Sequence, residues 1–437
     1  MQQLIWSELN EQEKLLALNR PGVSHSDSLT ESVKSILLEV KKNKHKAVQQ
    51  FTSKFDSVKL EDIRVSVQEF KEAEELVPEN VVKSFELAIE NIKKFHHAQK
   101  FSNIKLDVMP GIQCEQVARA IGKVGLYVPG GTAPLPSTVF MLAIPAEIAG
   151  CGKRVICTPP QSNGKIDANI LMAAKMVGVT EIYKVGGAQA IAAMAYGTEI
   201  IPKVDKIFGP GNSWVTEAKV QVAQDPSAAV CDMPAGPSEV LVISDEQANP
   251  EFVATDLLSQ AEHGVDSQVI LLSTCKNHIA AVKTALMNFT EQLDRKSIIV
   301  ESLKHSKMIL VNSIDEALEV SELYAPEHLI LQFQNADKYL NRINNAGSVF
   351  VGPWTPESVG DYASGTNHVL PTFGYAKNLS GLNLDSFCRK MTIQTLTPEG
   401  ILAIGPTVET LAGIEGLNAH KLAVTVRLKQ LNKKGDN

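Results

Sequence analysis

Cysteine is scarce in this chain: six residues in 437, at 114, 151, 157, 231, 275 and 388, with no CxxC pair among them. That scatter excludes a disulfide framework and a thiolate metal site, and it fits free thiols in a reducing compartment. None of the six has a neighbouring histidine or basic cluster in the sequence to lower its pKa, so a thiolate nucleophile is disfavoured. Positive charge is also in short supply. Lys and Arg number 42 against 49 Asp and Glu, a net charge of −7, so the electrostatic footprint of a nucleic-acid partner is missing. Long apolar runs are absent: the best, 139–149, is broken by Pro145 and Glu147, far short of the ~20 residues a membrane span needs. The opening residues are acidic and amphipathic, without the basic and apolar regions of an export signal. No fixed-period repeat or low-complexity tract is visible. These absences predict a cytoplasmic protein acting on small molecules.

What is present is ordinary globular composition, 44% hydrophobic and 21% charged. The length predicts two or more domains. In 28–55 and 67–100 apolar residues recur at spacings of three and four among Lys and Glu, which predicts outer-layer helices, with Ser26 or Asp27 as a cap. From residue 114 the texture changes to short β-branched runs, each followed by a helical pattern. Strands are expected at 124–128, 154–158, 181–185 and 206–208, and in a second series at 239–243, 267–272, 308–311, 328–331 and 348–351. Such alternation is the mark of βαβ units on parallel sheets. Two α/β modules follow, with the Pro- and Gly-rich segment 233–237 as the hinge. Beyond 370 the alternation fades into loops and a last helical run, 409–431, too thin to fold alone.

Three glycine-bearing turns each follow a strand and open a helix, at 129–134, 186–190 and 209–212. Glycine there lets the backbone approach a ligand, and the helix behind offers free N–H groups. Singly, each is what any βα loop needs; together on one module they point to a ligand edge. The GxGxxG fingerprint is absent, so glycines alone do not specify a dinucleotide. Gln260 and His263 lie three apart at the end of a predicted helix and can present an oxygen and a nitrogen to one ion, although the spacing alone is common on ordinary surfaces. Further ligands must come from elsewhere: Asp361, in a turn-rich loop, and His368 and His420 stand in unusual settings. Nitrogen and oxygen donors of this kind suit zinc. Glu327 and His328, after Pro326 and at the start of an apolar strand, offer two proton acceptors of different pKa, which suits a reaction removing several protons. A strand-start carboxylate beside a core-edge imidazole is the plainer alternative. His25, His45, His96, His97, His278 and His305 read as solvated surface.

Seven ordered motifs, VGLYVPGG at 124–131, GGAQA at 186–190, FGPGN at 208–212, DMPAGPSE at 232–239, LSQAEHG at 258–264, PEH at 326–328 and DYASGTNH at 361–368, resemble the histidinol dehydrogenase family. The resemblance spans essentially the whole chain. It implies oxidation of L-histidinol through L-histidinaldehyde to L-histidine, the last step of histidine biosynthesis, with two NAD+ and one zinc ion per subunit. It further implies Gln260, His263, Asp361 and His420 as zinc ligands that also meet the substrate, and Glu327 and His328 as proton acceptors. Tyr127, Gln189 and Asn212 become expected NAD contacts; Ser238, Glu415 and again His328 become expected substrate contacts. Glu415 and His420 are expected to serve the other subunit of a homodimer with shared active sites. The expected fold is two Rossmann-like, incomplete doubly wound α/β domains, one inserted in the other. Residues 1–128 with 239–380 form the first, carrying the N-terminal helices; 129–238 form the second, cofactor-binding domain; 381–437 form a dimerisation tail. Cys231 stands where the family usually has an aliphatic residue, which implies only a packing change. The rival readings are a zinc and NAD dehydrogenase of another small primary alcohol, and a zinc hydrolase on an α/β scaffold.

Overall fold

The computed structural model describes residues 1–21, 27–130, 134–233 and 236–435. His25, Ser26, Gly131 and the centre of the expected hinge, Pro234 and Ala235, lie outside the described residues. Two units make up the chain: Met1–Gln99 with Ile121–Ser386, and Lys100–Ala120 with Phe387–Asn437.

The chain opens with β1 (Gln2–Ile5) and α1 (Glu11–Ala17), then runs through α2 (Asp27–Phe55), α3 (Val67–Leu76) and α4 (Glu79–Ala98) to a hairpin of β2 (Ile104–Met109) and β3 (Ile112–Ala120). Pro78 separates α3 from α4, where the periodicity alone suggested one continuous run. Then β4 (Lys123–Tyr127), α5 (Pro136–Ala149), β5 (Lys153–Thr158), α6 (Ala168–Met176), β6 (Ile182–Lys184), α7 (Gly187–Tyr196), β7 (Lys206–Phe208), α8 (Ser213–Ala223) and β8 (Val230–Cys231) alternate regularly. Their five strands form one wholly parallel sheet in the order β6-β5-β4-β7-β8. The chain winds outward from β4 in one direction, then returns to continue from its other side. The switch point therefore lies between β4 and β7, and the turns after these strands share the carboxyl edge.

A second run follows: β9 (Glu239–Ser244), α9 (Pro250–Ala261), β10 (Gln268–Ser273), α10 (Lys276–Thr290), α11 (Lys296–His305), β11 (Lys307–Leu310), α12 (Ile314–Tyr324), β12 (His328–Gln332), β13 (Ser348–Val351) and α13 (Glu357–Tyr362). With β1 these strands make a six-stranded parallel sheet, β1-β11-β10-β9-β12-β13, whose switch point lies between β9 and β12. Every residue of β9 and β10 is buried, as expected of a parallel sheet covered on both faces. Val240 and Val242 enter one core with Val253 and Leu257 of α9, while Leu241 and Ile243 enter the opposite core with Trp6 and Leu318.

The division expected at residue 128 does not follow the sheets. β4 pairs with β5 and β7, so the five-stranded module starts at Lys123. Nor do the N-terminal helices belong to the six-stranded module: α2 packs on α7 and α8, α3 on α6, and α4 on α5. The reason is composition. α5 and α7 are buried almost throughout, and helices apolar all round need cover on both sides. Phe85 of α4, for example, meets Phe140 of α5 edge to face at 5.0 Å. Only β1 and the residues just after it serve the other sheet. Cys231 packs beside the core formed by α2, α7 and α8.

In the other unit β14 (Cys388–Leu396) pairs antiparallel with β3, which pairs with β2, and α14 (Pro398–Ile414) packs against α15 (Asn418–Gly435). Residues 100–120 thus join the segment expected to stand alone from 381. β14 was missed because it is largely exposed and lacks an apolar alternation. His96 and His278, expected at the surface, are buried; His96 Nδ1 lies 2.9 Å from the Ile92 carbonyl one turn back. Among the described residues no helix is long and apolar enough to cross a membrane.

Asp256 of α9 is buried beneath the six-stranded sheet and accepts one hydrogen bond, from Gln332 Nε2 of β12 at 3.2 Å. Burial raises its carboxyl pKa to about 7, against about 3.9 in an unfolded chain. The folded state therefore holds a proton that the unfolded state has lost, and stability falls as pH rises from about 4 through 7. Asp256→Asn should remove this slope, leaving the variant more stable than the wild type at pH 8 by on the order of a few kcal/mol. Urea titrations at pH 5 and pH 8 check it, and parallel pH slopes for the two proteins would refute it.

Candidate active site

Parallel pairing sets His328, the first residue of β12, beside Val240 and places Glu327 next to the start of β9. This is the amino edge of the six-stranded sheet, at its switch point. A regular strand would send adjacent side chains to opposite faces. Here Pro326 and a left-handed Ala325 (φ 53°) turn the chain just before the strand, and His328 Nδ1 lies 3.7 Å from Glu327 Oε2. The main chain of Glu239 touches both residues. Its N–H donates to Glu327 Oε2 at 2.8 Å, and its carbonyl lies 3.0 Å from His328 Nδ1. A carbonyl only accepts, so Nδ1 carries the hydrogen and Nε2 is the basic nitrogen. Gln260 Nε2, 3.2 Å from the same Nδ1, donates instead to Glu357 Oε1.

Around Nε2 the carboxylates gather. Asp361 Oδ1 lies 3.4 Å away, and ligand atoms of His263, Glu357 and Asp361 all fall within 4.8 Å of one another. Asp361 was expected in a loop; it sits on the short helix α13, which places Glu357 and Asp361 one turn apart on one face. Glu357 escaped the sequence reading because Pro and Gly around it look like a loop, yet the Glu-to-Asp spacing of four was the available signal. α9 ends at Ala261, and His263 follows in a further turn, its N–H donating to the Gln260 carbonyl at 3.2 Å. His368 does not join this cluster: its Nδ1 lies 2.9 Å from the Asp361 carbonyl and its Nε2 3.5 Å from Thr138 Oγ1, so it anchors the segment bearing Asp361.

The electrostatics of this edge call for a cation. Glu327 is pushed up to about 8, mostly by burial, with His328 pulling the other way. Burial likewise raises Glu357 well above the usual carboxylate range. His328 is lowered by burial but raised more by Glu357, Glu327 and Asp361, and ends well above an ordinary imidazole. Asp361 ends low because His328 outweighs its burial. His263, exposed along one side, is nevertheless desolvated by its surroundings, which lowers its pKa and keeps it neutral. Three carboxyl groups thus face one imidazolium. Moreover Gln260 Oε1, Glu357 Oε2 and His328 Nε2 are buried polar atoms without a hydrogen-bond partner. Two carboxyls whose ionisation burial opposes, and polar atoms left without partners at the same place, are what a divalent ion relieves. The donor set, nitrogen and oxygen without thiolate, fits zinc.

The other expected residues lie on the five-stranded module or beyond. Tyr127 ends β4, and its buried hydroxyl accepts from Gly187 N at 3.1 Å; burial raises its pKa. Gln189 is buried in the first turn of α7, whose N-terminus has no side-chain cap. Asn212 is exposed and uses its Oδ1 to cap α8 through the N–H groups of Trp214 and Val215, leaving its amide NH2 for a ligand. The turn at Gly209 admits no side chain: φ is +120°, and a Cβ would lie 2.2 Å from the Tyr127 carbonyl. Asp232 Oδ2 accepts from Gly209 N at 2.9 Å, and the buried Lys219, paired with Asp232, donates to Gly209 O and Met233 O. Bare glycine turns at helix N-termini beside a switch point make a fitting cradle for a phosphate-bearing cofactor. Ser238 is half-buried and immediately precedes Glu239. Glu415 and His420 are exposed and belong to the other unit. The six cysteines are free thiols. Cys231 does have Lys219 and Lys206 nearby, but burial outweighs them and pushes its thiol up to about 12.

Sheets wound outward from two switch points, with a buried Glu327–His328 pair on one edge and glycine turns on another, are the architecture of an α/β enzyme. The chain matches the profile of the histidinol dehydrogenase family over residues 19–428. It is 50% identical over 435 residues to a histidinol dehydrogenase of Vibrio vulnificus, covering 100% of both chains. A Colwellia psychrerythraea histidinol dehydrogenase is 50% identical over 97% of this chain and 98% of its own. The crystal structure of histidinol dehydrogenase from Elizabethkingia anophelis superposes with a TM-score of 0.95 at 49% identity over 99% of each chain. The chain belongs to the histidinol dehydrogenase family and is an oxidoreductase.

Glu357→Gln tests the cost of burying this carboxyl. Without metal the variant should be more stable than the wild type at neutral pH, because a carboxyl whose ionisation is opposed by burial is replaced by a neutral amide. Its affinity for Zn2+ should fall about 10- to 100-fold. Thermal melts with EDTA and with added Zn2+ read both effects; an unchanged zinc-dependent gain would remove Glu357 from the metal site.

Proposed function

We propose that this chain oxidises L-histidinol through L-histidinaldehyde to L-histidine, the last step of histidine biosynthesis, as a cytoplasmic homodimer using two NAD+ and one zinc ion per subunit. The observation that carries this reading is the convergence of Gln260, His263 and Asp361 with Glu327 and His328 on one buried edge, in a chain similar to histidinol dehydrogenases over its full length.

Gln260, His263 and Asp361 would hold the zinc, with His420 from the other subunit as the remaining protein ligand and Glu357 balancing the charge. Zinc held there would supply an anchor for the substrate's nitrogens and Lewis-acid polarisation of its hydroxyl. Tyr127, Gln189 and Asn212 would hold NAD+, which would supply the hydride acceptor for each oxidation. With a cation bound at this edge opposing the imidazolium form, His328 would be the neutral acceptor of the alcohol proton at Nε2, since Nδ1 is held by the Glu239 carbonyl. Glu327 takes the proton of the water that attacks the aldehyde, its carboxylate oriented by the Glu239 N–H. The two acceptors share one buried edge, so the aldehyde can be held between steps without release. Ser238 and Glu415 would contact the substrate, Glu415 across the dimer.

Production of NADH on adding L-histidinol and NAD+ is expected, and its absence in zinc-loaded protein would overturn the reading. Glu327→Gln should keep zinc but lose histidine formation by about 10²- to 10⁴-fold, the usual worth of a general base; wild-type turnover would remove Glu327 from the mechanism. Zinc content after His263→Asn should drop well below the wild-type level, as metal analysis of dialysed protein would record. Retention of full zinc would reject His263 as a ligand.

A further inference from the structure

Behind Glu327 and His328 lies an ion pair, buried on its glutamate side, to which the mechanism above gives no part. Glu239 touches both proton acceptors through its main chain, while its side chain, 3% exposed, is held by Arg20 in a two-pronged pair: Nε to Oε1 at 2.5 Å and Nη2 to Oε2 at 2.8 Å. The N–H of Phe373 donates to the same Oε1 at 2.8 Å. Arg20 Nη2 also donates to the carbonyls of Tyr324, at 2.8 Å, and Ala325, at 3.3 Å, and the guanidinium lies over the Tyr324 ring at 3.9 Å. Tyr324 and Ala325 form the left-handed end of α12 that leads through Pro326 into Glu327. One guanidinium therefore grips both chain segments on which the acid–base geometry depends: the start of β9 through Glu239, and the turn ahead of β12 through two carbonyls. A planar fork with five donors can do this; a lysine cannot make both grips at once.

We infer that Arg20 and Glu239 are a positioning pair for the proton transfers, setting the carboxylate of Glu327 and the tautomer of His328 through the Glu239 main chain; this rests on the reading of Glu327 and His328 as the proton acceptors. Loosening the grip shifts the acceptors relative to the substrate without removing any group that binds substrate, cofactor or metal. The cost then falls on turnover. A misplacement of about 1 Å costs on the order of 10²-fold in rate.

The test uses zinc-loaded, full-length Arg20→Met, Arg20→Lys and Glu239→Gln. In Arg20→Met, kcat per folded site should fall about 10- to 100-fold, with KM for L-histidinol and NAD+ within about threefold of wild type and zinc content unchanged. Arg20→Lys, which keeps the charge but not the fork, should recover only part of the loss. A pair serving only the fold would instead lower the melting temperature and the yield of folded protein while leaving kcat per folded site untouched, and that result overturns the inference. So does a loss expressed only in KM. If Arg20→Met does not fold, Arg20→Lys and Glu239→Gln decide by the same split. Glu327→Gln, run alongside, separates the two levels: wild-type turnover there defeats the underlying role of Glu327, whereas a dead Glu327→Gln beside fully active Arg20 variants defeats the positioning pair alone.

Discussion

The parallel pairing of β9 with β12 is the contact on which the site depends. It sets His328 opposite Val240 and so brings the main chain of Glu239 against both Glu327 and His328. One residue's N–H and carbonyl then define the orientation of the carboxylate and the tautomer of the imidazole. Slip the register by one and the side chains of β12 change faces. The pairing is held from both sides, since alternate residues of β9 enter two different cores.

Charge follows from that geometry. Concentrating Glu327, Glu357 and Asp361 around one imidazole, mostly out of water, costs stability unless a cation compensates, and three polar atoms at the same edge are left without partners. At the Gly209 turn of the other sheet the buried carboxylate, Asp232, is paired with Lys219. There the constraint is steric: at Gly209 a Cβ would strike the Tyr127 carbonyl, and the Lys219–Asp232 pair ties that turn to the crossing segment. One sheet edge is built to gather charge, the other to let backbone come close to a ligand.

Much of the architecture was legible in the chain. Short β-branched runs alternating with helical patterns placed all nine expected strands of the two parallel sheets, because strands buried on both faces must be continuously apolar. β1 and β8 are sheet-edge strands with part of their residues exposed, β2 and β14 are largely exposed and β3 is mostly half-buried, so their residues carried no comparable signal. The N-terminal helices were visible as helices, but not whose cover they were; that depended on α5 and α7 being apolar all round. At the site, Gln260, His263, Asp361, Glu327 and His328 stood out as residue types. Glu357 and Arg20 did not, since a glutamate in a Pro- and Gly-rich stretch and a lone arginine near the N-terminus look like solvated surface.

Cysteine scarcity, a net negative charge and the lack of a long apolar span pointed to chemistry on nitrogen and oxygen side chains and to small-molecule ligands. Local chemistry determines that much, because composition limits which groups exist and periodicity limits which elements form. Which of those groups meet is decided by tertiary structure alone. Arg20, Glu239, Gln260, Glu327 and Glu357 are spread over more than 330 residues of chain, and only the order of parallel strands, set by burial on both faces of the sheet, brings them to one edge.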